Sequence, residues 1–303
     1  MKWIRTGWAR IAAAFAAFAI AGCSTAPAPQ ATAAATPRPA MWLLSDKDTK
    51  IYLFGTFHLL PNGSKWRTPA FDQALGAAQE LILEVPNIDD PMAVARAMQG
   101  LAVTPGNPPL AERVAPDKRA VLEAMVKESG YPPALLDRLD TWAASLILLR
   151  VTFQKLGVEP DQGVELNLIA PWKASGRPVS GLETVEDQFR IFDGLSEESQ
   201  RAMLASILDQ SDDVRAQFAA MLSAWSRGDT DEIARTFNRT EAMSAEMSRL
   251  LLGARNAKWA DALARRMERP GTVFVAVGAG HLAGPQSVQR MLEAKGYKAK
   301  RLQ

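Results

Sequence analysis

The 303-residue chain holds one cysteine and two histidines. A single thiol, Cys23, cannot close a disulfide within the chain, and no cysteine nucleophile is available beyond it. HExxH and G-x-S-x-G are both missing, and a serine triad would have to use one of the same two histidines. Runs long enough to cross a bilayer are missing as well. Ile11–Ala21 falls short of the ~20 residues a spanning helix needs, and Arg150 interrupts WAASLILLR (142–150), which reads as a buried core helix. Charge of one sign is also wanting, with 35 Lys+Arg against 33 Asp+Glu. Lys2, Arg5 and Arg10 precede Cys23 with no acidic residue among them, so the remainder carries 35 − 3 = 32 against 33, a net of −1. No concentrated basic patch remains to grip nucleic acid.

The first segment, MKWIRTGWARIAAAFAAFAIAGCS, has a basic start and a short apolar run, the pattern of a secretory signal peptide over residues 1–22. Ile20-Ala21-Gly22-Cys23 resembles a bacterial lipobox, which makes Cys23 the expected lipidation site. Ser24 after it points to an outer-membrane anchor facing the periplasm where the host has two membranes. Residues 23–40 follow as an Ala/Pro/Thr-rich stretch that cannot bury enough apolar surface to order itself and reads as a tether. The folded part is expected over 41–303 as one domain.

Within it, MWLLSDKDTKIYLFGTF (41–57) reads as two strands joined by a polar turn at 45–49. ELILEV (80–85), PVSGL (178–182) and the apolar TVFVAVG (272–278) are further strands. YKAKRLQ (297–303) alternates and suits an edge strand guarded by its lysines. Between about 87 and 268 the pattern is mainly helical, with long helices expected over 142–157, 196–226 and 240–267. The fold class is therefore α/β: a central β-sheet, whole or split, built from strands at both ends of the chain, with a large helical insertion covering it and forming a lid.

Both histidines fall in one pattern. IYLFGTFHLLP (51–61) and VFVAVGAGHLAGP (273–285) each run through an apolar strand to Gly-x-x-His. Two random histidines would both sit three residues after a glycine about once in 200, given glycine at ~7% of residues. Ligands bind beyond the carboxyl ends of strands in open α/β sheets, and Gly55 and Gly278 allow a close backbone approach there. If the two strands are neighbours, His58 and His281 converge. Glu84, at the end of LILEV, would be costly to bury without a partner and supplies a third group. Two histidines and a carboxylate form a recurrent catalytic metal set, in which the ion would lower the pKa of a bound water and polarise a carbonyl.

IYLFGTFHLLP, LILEVPN, GRPVSGLETVEDQF (176–189), RNAKWA (255–260) and TVFVAVGAGHLAGP together resemble the TraB/GumN/Tiki family, most closely its bacterial GumN-like members, over about residues 41–302. The resemblance implies His58, His281 and Glu84 as the metal or catalytic set, with Glu84 as ligand or general base, and Gly55 and Gly278 as shaping residues. It implies a divalent cofactor (manganese, cobalt or zinc), a peptide or protein substrate, and a fold similar to erythromycin esterases and the haem-binding ChaN lipoproteins. Where relatives have Gly-hydrophobic-Asp, this chain has Gly163-Val164-Glu165, one methylene longer, which leaves the contact of Glu165 open. Glu183 and Arg255 also resemble family positions. Arg255 would hold a substrate carboxylate or serve in a structural ion pair.

The expected protein is a lipid-anchored cell-envelope hydrolase of peptidase type that meets the membrane only through its anchor. Two other expectations stand beside it. One is a binding protein for haem, with Tyr52 or Tyr131 as an added ligand, for a signal peptide or for an envelope partner. The other is an accessory factor in polysaccharide export.

Overall fold

The computed structural model describes residues 36–158, 163–209, 213–239 and 245–303. The leader, Cys23 and the first part of the tether lie outside the described residues. The end of the tether does not hang free: Arg38 donates its N–H to the Ser226 carbonyl, and Ala40 is buried and accepts from Gly55 N at 3.1 Å. The packed body thus starts a few residues before Met41.

Six strands form one sheet: β1 Met41–Ser45, β2 Thr49–Thr56, β3 Glu80–Leu83, β4 Val179–Gly181, β5 Gly271–Gly278 and β6 Ala299–Arg301. Their order is β4-β3-β5-β2-β1-β6. The sheet is continuous, not split, and joins both ends of the chain. β2, β3, β4 and β5 run parallel, whereas β1 is antiparallel to β2 and to β6. Asp46 turns β1 into β2 by accepting the N–H groups of Asp48 and Thr49 on its own carboxylate. β6 is an edge strand, as its alternating charge leads one to expect, with Lys300 and Arg301 exposed.

Alternation along β5 divides the sheet's two faces. Phe274 and Ala276 pack with Phe54, Phe71 and Trp172 on one side, while Val273, Val275 and Val277 pack with Trp259 and Leu263 on the other. Both faces are covered, which is why β5 is apolar throughout. The helical insertion makes a core of its own around Met98, Trp142, Leu146, Phe189 and Met203, and meets the sheet through Leu59 and Val85. The helix Thr141–Lys155 runs through that core and is buried from Thr141 to Leu149. The expected long helix over 196–226 is instead two helices, Glu197–Leu208 and Asp213–Ser226. Asp209, at φ −73° and ψ 72°, has left helical geometry and stops the first of them. Among the described residues no helix is long and apolar enough to cross a membrane.

Candidate functional site

β5 lies between β2 and β3, and the register pairs Thr56 with Gly278 and Leu83 with Ala276. The carboxyl ends of these three parallel strands therefore share one rim. Thr56-Phe57-His58, Glu84, and Gly278 with the 3₁₀ turn Ala279–Leu282 that carries His281 all emerge there. Gly278 is the meeting point. A Cβ built on it would lie 3.0 Å from His58 Nε2, 3.1 Å from Glu84 Oε1 and 3.7 Å from His281 Cδ2. Gly55 serves more remotely, since its missing side chain makes room for Ala279, 3.2 Å from where a Cβ would sit.

Each imidazole is oriented by an acceptor on Nδ1. His58 Nδ1 lies 2.7 Å from Glu165 Oε1. Glu165 projects from the first turn of the helix Val164–Ala174, and Thr56 Oγ1 donates to the same carboxylate. The added methylene of Glu165 therefore does not cost it the contact. His58 Nε2 takes no hydrogen-bond partner among the described residues and faces Gly278. His281 Nδ1 lies 2.5 Å from Asn256 Oδ1, and Asn256 Nδ2 donates to the Gln286 carbonyl at 2.7 Å. The Trp259 ring flanks His281, with centroids 4.2 Å apart.

Arg255 sits in the middle of this cluster. Its Nε donates to Glu183, and Nη1 donates to the Leu251 carbonyl and to His281 Nε2, each at 3.0 Å. Nη2 donates to Glu84 Oε2 at 2.8 Å and to Glu183 Oε2 at 2.9 Å. A guanidinium has five N–H donors, and these contacts use all of them. Arg255 is thus the centre of a buried ion-pair network rather than a clamp for a substrate carboxylate. A five-residue π-helical turn, Arg249–Gly253, precedes it, and the Leu251 carbonyl within that turn accepts from its side chain. Such turns often mark functional sites.

Glu84 accepts two further hydrogen bonds, from Gly278 N at 2.7 Å and Gln188 Nε2 at 3.1 Å, and His281 Nε2 lies 3.8 Å from its Oε1. Burial alone would raise its pKa. Arg255, the two imidazoles and the Gly278 N–H outweigh burial and hold it down to about 2. Burial and the Arg255 charge push His281 down to about 3, so it is neutral at physiological pH. Burial opposes a charge on His58 too, but Glu165 and Glu84 overcome it and raise its pKa above the usual value.

A divalent ion on His58, His281 and Glu84 needs a lone pair from each. Arg255 donates to both His281 Nε2 and Glu84 Oε2, so in this arrangement the set does not fit an ion. Among the described residues no group of three or more His, Cys, Asp or Glu side chains is arranged to hold one. The candidate haem ligands also lie apart from the cluster: Tyr52 stacks on Phe274 and Tyr131 packs against the core of the helical insertion.

The structure thus brings together His58, His281, Glu84, Glu165, Glu183, Arg255, Gly55 and Gly278. Asn256, Trp259, Gln188, Thr56 and Gly163 complete the site without having been singled out from sequence. Trp259 and Asn256 lie in RNAKWA, and Gln188 in GLETVEDQF, so the signal was the motif around a chosen residue. Gly163 is needed because a Cβ there would fall 2.2 Å from the His58 carbonyl oxygen.

Known proteins bear on this cluster. The uncharacterized protein YbaP of Escherichia coli (strain K12) is 26% identical over 256 residues, covering 84% of this chain and 92% of its own length. Its Shigella flexneri counterpart matches equally. An uncharacterized protein of Treponema pallidum (strain Nichols) is 20% identical over 182 residues, covering 56% of this chain and 54% of that one. No solved structure matches. The profile of the TraB/PrgY/gumN family matches residues 40–301, a span that takes in every member of the cluster, and the chain belongs to that family.

Proposed function

We propose that this chain is a cell-envelope hydrolase that delivers water to a carbonyl carbon, with a peptide bond as the substrate suggested by the family resemblance. The observation that carries the reading is that His58 Nε2 and Glu84 Oε1 both border the space over Gly278, 3.0 and 3.1 Å from where a Cβ would sit. In this reaction His58 Nε2 takes a proton from water while Glu165 holds the opposite face of the ring and stabilises the imidazolium. Glu84 Oε1 accepts the second proton of that water as a hydrogen bond and aims its lone pair at the substrate. As the tetrahedral intermediate breaks down, His58 returns its proton to the leaving amine. His281, Asn256, Arg255 and Glu183 hold Glu84 in position. A likeness to the fold of erythromycin esterases and ChaN proteins is part of the same proposal, and so are export and a lipid anchor at Cys23.

A second reading keeps the ion suggested by the sequence, with manganese, cobalt or zinc on His58, His281 and Glu84. One observation favours it: both rings have Nδ1 tied to an acceptor and Nε2 turned inward, as metal-binding histidines do. It requires Arg255 to withdraw. The test of the function is cleavage of a fluorogenic peptide library by wild type and by His58→Gln, with and without chelator. Chelator-resistant cleavage that His58→Gln abolishes supports the first reading, and cleavage lost to chelator and restored by metal supports the second. Cleavage equal in wild type and His58→Gln would sink both.

A further inference from the structure

We propose that Arg255 is a built-in cation. Its guanidinium takes the place between His281 and Glu84 that a divalent ion would need, and it leaves a single-histidine seat for water. Arginine can only donate, so its contact at 3.0 Å makes His281 Nε2 an acceptor. His281 must then carry its proton on Nδ1 and donate it to Asn256 Oδ1 at 2.5 Å. The amide cannot be the other way round, because Asn256 Nδ2 is committed to the Gln286 carbonyl. Both nitrogens of His281 are thereby used within the protein, and none is left for a metal or for a substrate proton.

The carboxylate is divided in the same way. Glu84 Oε2 is taken by Arg255 and Gln188, while Oε1 has, among the described residues, only Gly278 N as its hydrogen-bond donor. The open groups are Glu84 Oε1 and His58 Nε2. The guanidinium is itself held firmly: Glu183 grips it on two nitrogens, Leu251 offers its carbonyl, and the Trp259 ring lies 4.6 Å from Arg255 Cζ. The indole adds a cation–π attraction. Two Gly-x-x-His motifs of matching form therefore do different work. His58 faces the substrate, and His281 is a positioning residue that fixes Arg255 and, through it, Glu84. The water seat rests on the hydrolase reading, whereas the displaced metal does not.

A chain with two imidazoles suits a direct test. The full-length protein, labelled with ¹⁵N-histidine, yields two ring systems, assigned with His58→Gln and His281→Gln. The expected result is a His281 ring protonated at Nδ1 and bare at Nε2, with neither ring moving when excess zinc chloride is added. Arg255→Ala leaves Glu84 and Glu183 buried without their cation. It should gain a zinc response in both rings, with zinc affinity raised about 100-fold or more, the scale of unpairing a buried charge. Arg255→Lys keeps a cation and should stay silent to zinc. A wild-type spectrum in which stoichiometric zinc shifts both rings would overturn the proposal, as would a His281 proton on Nε2 or a folded Arg255→Ala that ignores zinc. The wild-type spectrum decides even if Arg255→Ala fails to fold. None of these readouts depends on turnover, so they are independent of the hydrolase reading.

Discussion

Gly278 adopts φ −49° and ψ 136°, a backbone conformation open to any residue. Its glycine is there for space, not for backbone freedom. Gly278→Ala would set a methyl 3.0 Å from His58 Nε2 and 3.1 Å from Glu84 Oε1, filling the proposed water seat. Its expected outcome is a folded protein, with wild-type circular dichroism, that has lost peptide hydrolysis. Gly163 makes the opposite case. It too has an ordinary backbone, φ −61° and ψ 155°, but an added Cβ would lie 2.2 Å from a backbone oxygen that cannot rotate away, that of His58. Gly163→Ala must move the loop carrying His58 or the start of the helix carrying Glu165. A loss of about 1–3 kcal/mol, the usual cost of overpacking, is expected in urea denaturation along with reduced activity. Wild-type stability in Gly163→Ala would show that the contact is not rigid.

The helix Val185–Asp193 reaches the site through Gln188, which holds Glu84, and it begins at a reciprocal cap. Thr184 Oγ1 accepts from Asp187 N while Asp187 Oδ2 accepts from Thr184 N, each at 3.0 Å. Thr184→Ala removes the first of these, and a loss of ~1 kcal/mol is expected. It should show as a lower urea midpoint with an unchanged slope. This helix also shows what could be read in advance. GLETVEDQF carries its cap, and all six strands were visible as apolar or alternating runs, because strand period and turn residues are local properties. Strand order is not local: the twin histidine motifs raise the adjacency of their strands only as a condition, and the place of β5 between β2 and β3 comes from the assembled sheet. The convergence of His58, His281 and Glu84 was legible to that extent, as a consequence of neighbouring strands, and the register of β2 and β3 against β5 meets the condition. The part of Arg255 was not. Its five donors are satisfied by residues from four separate stretches of chain, and only the assembled fold reveals that His281 has no lone pair to spare. The division of 196–226 into two helices did have a local sign in the sequence, since the polar run DQSDD (209–213) interrupts the Ala/Met/Leu pattern at that point.

Across the whole molecule the buried cluster ties stability to pH, with signs that differ from group to group. Stability rises with pH wherever the unfolded chain binds more protons than the folded one. His281 is held to about 3 in the folded protein, against about 6.5 for a free imidazole. Between those values the unfolded chain takes a proton that the folded chain refuses, so stability falls as pH drops from about 6.5 toward 3. Glu84, held to about 2, contributes stability that is present above the carboxylate's ordinary range and is lost as pH falls from there toward 2. Its window adds to that of His281 at the acid end. His58 has the opposite sign: its folded pKa is raised, so its contribution is complete below about 6.5 and is lost as pH climbs through the raised value. A stability maximum near pH 6.5 follows, with an acid limb whose slope approaches ~1.4 kcal/mol per pH unit for each group titrating. Urea midpoints measured from pH 4 to pH 8 (about the range of ordinary buffers) test this directly. His281→Asn, which cannot take a proton, should flatten the limb between about 4.5 and 6.5, while His58→Gln should leave that limb in place and remove the decline on the alkaline side. An acid limb unchanged in His281→Asn would mean that the imidazole beside Arg255 is not the group kept neutral by the fold.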